Sequence, residues 1–256
     1  GKPLIDHTID ALPSAIDELI LVVGYLGDQL RAHFGSEYHG RKVTYVEQVE
    51  QKGTAHALWL CKDLLKGRFL FMFADDIHGA NDLARLTSYS RGLLAMPTKT
   101  PERFGIVVRH PDGTVADFVE KPAHPPSNLA STGPMVLDTH IFEFEMKKET
   151  NGEFYLTDLV EIAASEGGVG ELAWEPISLR GVNDRAELAA TEAYLWQRIA
   201  DGHRRAGSTV APGVCIDRDV TIEAGVTIGP NVVLRGATSL GSGTTVDAGC
   251  VLEDAS

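Results

Sequence analysis

The chain has 256 residues, enough to bury a substantial core in one or two domains, and its composition of 43% hydrophobic and 23% charged residues is that of a globular protein. The formal net charge of −13 repels nucleic acid and anionic membranes and argues against polynucleotide binding. It does not exclude a small anionic ligand, because a metal ion and a few placed cations reverse the local field.

The first third of the chain alternates helical and strand patterns. Six segments carry this signal: helical apolar spacing at residues 4–12, 28–34 and 54–65, and strand-like apolar runs at residues 19–23, 43–46 and 69–73. The last run is unbroken, which is typical of a strand covered on both faces. The alternation predicts an α/β domain with a mostly parallel sheet.

The pattern changes after residue 104. Short strands are predicted at residues 106–108, 115–119 and 135–137, separated by turn residues. They indicate a β-insertion that forms a lid or platform beside the main sheet. Helical periodicity returns at residues 156–164, and a long helix at residues 185–205 ends before Gly207.

The last fifty residues carry a six-residue repeat. Its first position is aliphatic in eight consecutive copies: Val210, Ile216, Ile222, Ile228, Leu234, Leu240, Val246 and Leu252. Four residues later comes a second small or aliphatic residue: Val214, Val220, Val226, Val232, Thr238, Thr244 and Cys250. A strict six-residue repeat predicts a solenoid with three hexapeptides in each coil. A β-meander with accidental spacing is the alternative, and eight consecutive matches argue against it.

The pattern resembles the left-handed β-helix of hexapeptide acyltransferases, an exception to the general preference for right-handed crossovers. About two and a half coils fit into the chain, so the solenoid is expected to lack its carboxyl-terminal cap.

The three cysteines, Cys61, Cys215 and Cys250, match no zinc spacing and no disulfide framework, which favours a reducing cytoplasm. The sequence has no apolar run of membrane-spanning length and no signal-peptide pattern. Because the chain begins within a motif at Gly1 and stops within a repeat, we expect both ends to be truncated.

Two carboxylates, Asp75 and Asp76, follow the predicted strand at residues 69–73. Ligands of open α/β sheets collect at the carboxyl ends of strands, and a carboxylate there suits Mg²⁺. An acidic turn in which Asp76 caps the next segment is the alternative, and position alone does not decide between the two.

A second motif runs from Gln48 to Leu58. Gly53 and Thr54 begin a predicted helix, where free backbone N–H groups attract oxygens of a nucleotide or sugar. A plain threonine cap is the alternative and is favoured when the motif is taken alone. His56 falls inside the helix and is predicted to be a packing residue.

Two further motifs carry polar ligands. Glu120 can accept hydrogen bonds from two sugar hydroxyls while Lys121 meets a phosphate, although an exposed ion pair before a proline is equally consistent. Before the long helix, Asn183 can offer a neutral oxygen to a hard cation, or Asn183 or Asp184 can cap that helix.

Together and in this order, the motifs resemble those of the sugar-phosphate nucleotidyltransferases over nearly the whole chain. The similar segments are residues 1–5, which resemble the stretch after the signature loop, then 48–58, 73–76, 120–122, 126–130 with Gly133, and 152–158, which resemble a G-E-x-x-x-T-D segment. Residues 181–185, followed by a helix and hexapeptides, are most similar to the bifunctional N-acetylglucosamine-1-phosphate uridylyltransferases/glucosamine-1-phosphate acetyltransferases. The Glu120-Lys121-Pro122 segment is closer to glucose-1-phosphate thymidylyltransferases and archaeal fused enzymes.

The resemblance implies a Rossmann-like nucleotidyltransferase domain at residues 1–184, a linker helix at 185–206 and a partial left-handed β-helix at 207–256. It also implies residue roles. Asp75 and Asn183 would hold Mg²⁺; Gln48, Gly53 and Thr54 would read a pyrimidine base; Gly105, Glu120 and Gly133 would contact the sugar; Lys121 would meet its phosphate, and Asp75 and Lys121 would be catalytic.

Three departures from the family pattern bear on activity. The first strand, its G-x-G-T-R loop and the lysine that follows are absent from the chain, and without that loop the triphosphate site is expected to be inactive. Ala74 stands where the family has glycine, and Ser131 or Thr132 stands where uridylyltransferases often have asparagine. The last two changes are expected to shift substrate preference.

The resemblance implies that a sugar 1-phosphate attacks a nucleoside triphosphate and releases pyrophosphate, with N-acetylglucosamine-1-phosphate and UTP the favoured pair. Glucose-1-phosphate with UTP or dTTP is the rival pair. A non-catalytic nucleotide-sugar-binding pseudoenzyme, or acyl transfer by the β-helix, are alternatives. For partners, the reading implies no nucleic acid and no membrane, and either a homotrimer through the β-helix or a monomer.

Overall fold

The computed structural model describes residues 2–146, 152–156, 168–175 and 180–256. The chain divides into two compact units, Leu4–Leu179 and Gly1–Pro3 with Arg180–Ser256. Most of the helical pattern predicted at residues 156–164 lies outside the described residues. In the described part of the chain, no helix is both long and apolar enough to cross a membrane.

Within Leu4–Leu179, helices and strands follow one another from the first residues. The helices are α1 (Leu4–Asp10), α2 (Gly27–Phe34), α3 (Thr54–Trp59) and α4 (Ala80–Leu86). The strands are β1 (Glu18–Val23), β2 (Glu37–Tyr38), β3 (Arg41–Glu47), β4 (Arg68–Phe71), β5 (Asp76–Ile77), β6 (Gly92–Pro97), β7 (Gly105–Arg109), β8 (Val115–Glu120), β9 (Leu129–Asp138) and β10 (Val169–Leu172).

Nine of these strands, all except β5, form two sheets. A three-stranded sheet has the order β1-β3-β2, with β1 and β3 parallel. A six-stranded sheet has the order β10-β6-β9-β7-β8, and β4 pairs with β9. In the second sheet only β10 and β6 are parallel among the described pairs, so the sheet is mixed rather than mostly parallel as predicted.

The ten-residue strand β9 explains this difference. It runs antiparallel to β4, β6 and β7, and therefore joins the predicted β-insertion to the main sheet by hydrogen bonds. The expectation of a separate lid or platform is wrong in this respect: β7 and β8 extend the sheet at its edge. The pairing of β9 with β6 shifts register between Ser131 and Met135, where Gly133 and Pro134 interrupt the ladder.

Both faces of the six-stranded sheet are packed. On one face, Phe69 and Phe71 of β4 lie against a core that includes Leu58 of α3. On the other, Leu70 and Met72 lie against a core that includes the α4 leucines. Alternate residues of one strand point to opposite faces, so an unbroken apolar run fits a strand covered on both sides.

Helix α3 is shorter than its pattern predicts. It ends at Trp59, and residues 60–65 continue as tight turns in which N–H groups bond carbonyls three residues earlier, as from Cys61 to Leu58 and from Lys62 to Trp59. Apolar residues spaced three apart fall on one face of an α-helix and also of a series of tighter turns. The sequence pattern therefore predicted one helix through both segments.

Among its described residues, the second unit contains one long helix and nine short strands. These are β11 (Arg180–Gly181), α5 (Arg185–Arg205), β12 (Thr209–Val210), β13 (Cys215–Ile216), β14 (Thr221–Ile222), β15 (Thr227–Ile228), β16 (Val233–Arg235), β17 (Ser239–Leu240), β18 (Thr245–Val246) and β19 (Val251–Glu253), the last eight of which form the solenoid. Asp184 caps α5 by accepting a hydrogen bond from the N–H of Glu187 at 2.7 Å.

The hexapeptide pattern corresponds to a parallel β-helix in which strands pair with a constant offset of eighteen residues. Val210 pairs with Ile228, which pairs with Val246, and Ile216 pairs with Leu234. Three hexapeptides therefore make one coil. Six of the eight first-position aliphatics and Thr238 lie in a buried interior, whereas Ile222 and Leu252 are only partly buried.

We expect the Gly202→Ala variant to raise the free energy of unfolding of the second unit by about 0.5–1 kcal/mol, because Gly202 is exposed inside α5 and a Cβ there meets nothing within 4 Å. The matched Gly207→Ala variant should lower it by about 1–2 kcal/mol, because Gly207 has φ +98°. Urea unfolding of both variants measures the difference, and equal shifts of the same sign would contradict this account.

Candidate functional site

The loop after β3 is held by backbone contacts to a distant segment. Gly53 has φ +93° and ψ 179°, a conformation essentially restricted to glycine. A Cβ on Gly53 would collide with the carbonyl oxygen of Phe154 and lie 2.9 Å from its nitrogen. The N–H of Ala55 donates to the Phe154 carbonyl at 3.0 Å. The loop and the segment around Phe154 are therefore joined in one hydrogen-bonded corner.

Thr54 lies in the same corner, but its hydroxyl does not cap helix α3. It accepts a hydrogen bond from the N–H of Leu156 at 3.0 Å, and no side chain caps this helix. The predicted capping alternative is therefore wrong, because the Thr54 hydroxyl oxygen accepts a hydrogen bond from the N–H of Leu156 and none from an N–H of helix α3. Among the described residues, the Thr54 hydroxyl hydrogen has no acceptor, so the hydrogen and a second lone pair can serve a ligand.

Gln48 follows β3 and faces Gly53. Its backbone N–H donates to the carbonyl of Val23 at 2.8 Å, which joins the ends of parallel strands β3 and β1. Its side-chain Nε2 donates to the carbonyl of Gly53 at 3.2 Å. The three residues expected to read a base, Gln48, Gly53 and Thr54, are thus brought together at the carboxyl end of β3.

Asp75 and Asp76 follow β4, where the sequence placed them. The Asp75 carboxylate is exposed and makes no hydrogen bond or ion pair within the described residues, whereas Asp76 is partly buried. The carbonyl of Asp76 accepts a hydrogen bond from the Thr8 hydroxyl at 2.7 Å, which ties this strand end to α1. Burial, and secondly the charge of Asp75, raise the pKa of the Asp76 carboxyl to about 7.

Gly133 lies directly against these acids. It has φ +103°, and a Cβ there would lie 2.7 Å from Asp76 Oδ2 and 3.2 Å from the ring of Phe73. The interruption of the β9 ladder at this position lets the backbone approach the carboxyl group. Gly133, expected to contact sugar, therefore lies against Asp76, the residue next to the predicted metal ligand Asp75.

The pKa of Asp76 predicts how the metal-free protein responds to pH. Its ordinary value is 3.8, so between about pH 4 and 7 the folded state holds a proton that the unfolded state has lost. Stability should therefore fall as pH rises through this range, by at most roughly 4 kcal/mol. In Asp76→Asn this loss should largely disappear. Melting temperatures from pH 4 to 8 in EDTA measure it, and identical pH profiles for the two proteins would contradict the assignment.

Gly105, Glu120 and Lys121 form a second cluster at the hairpin of β7 and β8. Gly105 pairs with Glu120, and a Cβ on Gly105 would lie 2.9 Å from Glu120 Oε2 and 2.5 Å from the Phe118 ring. Lys121 has φ +39°, and its Nζ lies 3.4 Å from Glu120 Oε1. Both side chains are exposed, so the ion pair is weak and a ligand phosphate can replace it.

Asn183 belongs to the second unit. Its backbone N–H and its side-chain Nδ2 donate to Glu187 Oε2 at 2.7 and 3.1 Å. Because a carboxylate only accepts, the nitrogen end of the Asn183 amide is fixed on Glu187 and the oxygen Oδ1 is left for another partner. That Asn183 shares a cation with Asp75 stays a prediction.

Two residues of the G-E-x-x-x-T-D segment, Thr157 and Asp158, lie outside the described residues. Within the residues that are described, no group of three or more His, Cys, Asp or Glu side chains is arranged to hold a metal ion by itself. The sequence reasoning missed the part played by Phe154, whose backbone positions Gly53 and Ala55. The only sequence signal for this role was that Phe154 lies within the G-E-x-x-x-T-D segment.

The chain is similar to several known proteins. A family model described as nucleotidyl transferase matches residues 1–172. The "Bifunctional protein GlmU" of Brevibacillus brevis is 32% identical over 250 residues, covering 88% of this chain and 52% of that protein. The "UTP--glucose-1-phosphate uridylyltransferase AglF" of Haloferax volcanii is 31% identical over 177 residues, covering 65% of this chain and 73% of that protein. The chain thus spans about half the length of the GlmU proteins it matches.

A solved structure provides the fold comparison. A protein of Bacillus anthracis, described as a candidate glucose-1-phosphate thymidylyltransferase in complex with a sucrose, superimposes with a TM-score of 0.65. The superposition covers 75% of this chain and 82% of that one at 24% sequence identity. At this identity the likeness establishes the fold alone, and it confirms the Rossmann-like α/β architecture expected from the sequence.

Proposed function

Because this chain belongs to the nucleotidyl transferase family, we propose that it joins the nucleotide part of a nucleoside triphosphate to a sugar 1-phosphate and releases pyrophosphate. The observation that carries the proposal is the contact of Gly133 with Asp76 at the end of β4. A close-approach glycine suits a sugar ligand and a carboxylate at a strand end suits a cation, so this contact supports the proposal. The reaction belongs to nucleotide-sugar biosynthesis, and we propose that it takes place in the cytoplasm.

The reaction needs positioning and charge stabilisation rather than a covalent intermediate. An oxygen of the sugar 1-phosphate attacks the α-phosphorus in line, and pyrophosphate leaves from the opposite side. In this proposal the corner of Gln48, Gly53 and Thr54 holds the base. Lys121 turns from Glu120 towards the sugar phosphate and offsets its charge.

The hairpin of β7 and β8 supplies the remaining sugar contacts. Gly105 leaves space beside Glu120 Oε2, because any side chain at residue 105 would strike the carboxylate and the Phe118 ring. Glu120 can then accept hydrogen bonds from two adjacent hydroxyls. Gly133 provides the opposite wall of the sugar site in this proposal.

The donor atoms fit Mg²⁺, a hard cation that takes oxygen ligands. Asp75 offers an exposed carboxylate without a protein partner among the described residues, and Asn183 offers an amide oxygen whose nitrogen end is tied to Glu187. We propose these two as its ligands. When bound, Mg²⁺ would supply positive charge that offsets the charge of the phosphates.

For the substrates, we propose UTP and N-acetylglucosamine-1-phosphate. Support comes from residues 181–185 followed by α5 and hexapeptides, the order seen in the bifunctional enzymes that the sequence resembles. Glucose-1-phosphate with UTP or dTTP is the rival pair, favoured by the Glu120-Lys121-Pro122 segment and by the printed name of the Haloferax relative.

For the second unit, we propose a left-handed β-helix that forms a homotrimer. The eighteen-residue offset between paired strands supports the coil geometry. Light scattering coupled to size-exclusion chromatography tests the trimer, and a monomeric mass would overturn it. The division into residues 1–184, 185–206 and 207–256 stays a prediction.

The function is tested by pyrophosphate release from the protein expressed from its complete gene. UTP, dTTP and CTP are each combined with N-acetylglucosamine-1-phosphate or glucose-1-phosphate, in Mg²⁺ or in EDTA. We expect the fastest release with UTP and N-acetylglucosamine-1-phosphate in Mg²⁺. If no pair gives Mg²⁺-dependent release, the transferase proposal fails. Calorimetric binding of a nucleotide-sugar without turnover would then favour the non-catalytic alternative.

A further inference from the structure

The side-chain amide of Gln48 has two protein partners, and both lie on its nitrogen. Nε2 donates to the Gly53 carbonyl at 3.2 Å and lies 3.1 Å from His56 Nδ1. Within the described residues, Gln48 Oε1 accepts no hydrogen bond. The amide is therefore held by its donor end, and its acceptor end is left for something else.

The carbonyl group of Gly53 determines this orientation of the Gln48 amide. A backbone carbonyl only accepts hydrogen bonds, so the atom that faces it must be the amide nitrogen. The carbonyl itself is immobile, because Gly53 is wedged against the Phe154 backbone. If the amide turned over, Oε1 would face the carbonyl oxygen, and both acceptors would lose their partners.

His56 uses the second hydrogen of the same nitrogen. An imidazole nitrogen accepts a hydrogen bond only when it carries no proton, so the contact requires the neutral ring with its hydrogen on Nε2. His56 sits at the third position of α3, half-buried, and reaches back to the residue that ends β3. With both amide hydrogens engaged, the Gln48 side chain can neither flip nor swing freely.

We infer that His56 is a positioning residue that, together with the Gly53 carbonyl, makes Gln48 an obligate hydrogen-bond acceptor towards the base. This inference rests on the proposed function, in which Gln48 reads the nucleobase. An obligate acceptor selects a pyrimidine whose N3 carries a hydrogen, as in uracil and thymine. When Gln48 Oε1 faces N3 of the base, it rejects cytosine, whose N3 is itself an acceptor.

The inference corrects the expectation that His56 only packs inside its helix. A packing role and a positioning role make different predictions, because loss of packing weakens the site for every nucleotide alike. Loss of the acceptor at Nδ1 leaves only the Gly53 carbonyl to hold the Gln48 amide. The amide can then turn its nitrogen towards the base, at the expense of its hydrogen bond to Gly53. This turn weakens the binding of uracil and relieves the repulsion of cytosine.

The test measures dissociation constants of UTP, dTTP and CTP by calorimetry, and kcat and KM for the same nucleotides, on the protein expressed from its complete gene. In His56→Ala we expect the preference for UTP over CTP to fall about tenfold, which is the value of one lost hydrogen bond. The change should appear in KM rather than kcat. His56→Asn keeps an acceptor near the position of Nδ1 and should recover most of the preference.

His110→Ala is the matched control, since His110 is an exposed histidine in the turn between β7 and β8, and its preference should equal that of the wild type. Equal weakening of UTP and CTP in His56→Ala, or no recovery in His56→Asn, would overturn the inference. Wild-type preference for UTP in binding without pyrophosphate release would defeat the transferase proposal while the His56 variants still test the positioning role. Absence of any nucleotide binding by the wild type would overturn both.

Discussion

Replacement of Asp75 by alanine is expected to lower kcat/KM for pyrophosphate release by about three orders of magnitude and leave the fold unchanged. The carboxylate is exposed and forms no hydrogen bond or ion pair in the described part of the chain, so its loss should alter the free energy of unfolding by less than about 0.5 kcal/mol. A group that stabilises several kcal/mol of transition-state charge through a metal accounts for an effect of this size on the rate. Steady-state kinetics over a Mg²⁺ titration, with thermal melting alongside, measure both quantities.

The control for Asp75→Ala is Asp63→Ala. Asp63 is also exposed, and it precedes β4 whereas Asp75 follows it, so the two substitutions change the net charge equally at opposite ends of one strand. We expect wild-type kinetics from Asp63→Ala. Retained turnover in Asp75→Ala would refute the metal assignment, and a comparable loss in both variants would point to net charge rather than to a specific ligand.

Local rules were enough to predict where the acids lie. A buried apolar run followed by Asp75-Asp76 puts carboxylates at a strand end, and the structure has them there. The sequence could not tell which of the two would be exposed. That difference depends on Gly133, which approaches Asp76 from a strand more than fifty residues away in the chain.

The strand order of the six-stranded sheet was harder to predict from the sequence, because it also depends on contacts between residues far apart in the chain. Only residues 135–137 of β9 carry an apolar pattern, because Ser131, Thr132, Gly133 and Pro134 interrupt it. The structure nevertheless uses ten residues as one strand that pairs with three others. Long-range pairing decides such a strand, and propensity read along a single sequence does not record it.

The solenoid was predicted well because each coil contacts only its neighbours, so a local period specifies the whole arrangement. The corner at Gly53 is the opposite case. Its positive φ, its contact with Phe154 and the fixed amide of Gln48 depend on each other and on a segment a hundred residues further along the chain. Helical spacing alone therefore described His56 as a packing residue and missed its contact with Gln48.

Replacement of Gly53 by alanine is expected to be the most damaging substitution in the base corner. The combination of φ +93° and ψ 179° is costly for any residue with a Cβ, and that Cβ would also collide with the Phe154 carbonyl, a backbone atom that cannot turn aside. We expect the free energy of unfolding to fall by about 3 kcal/mol. The Gly53 carbonyl also fixes the Gln48 side chain. The KM for UTP should therefore rise even at a temperature where the variant is fully folded, so that lost stability does not account for the rise.

Gly67→Ala separates the two causes. Gly67 also has a positive φ, +62°, but a Cβ there meets nothing within 4 Å, and the residue lies in the turn before β4. It should cost only about 1–2 kcal/mol, the strain of the left-handed conformation, and leave the KM for UTP unchanged. Urea unfolding and nucleotide kinetics at a temperature where both variants stay folded provide the comparison. If the two variants lose equal stability and bind UTP equally well, the contact with Phe154 does not hold the corner, and the position of the Gln48 amide must be set by His56 alone.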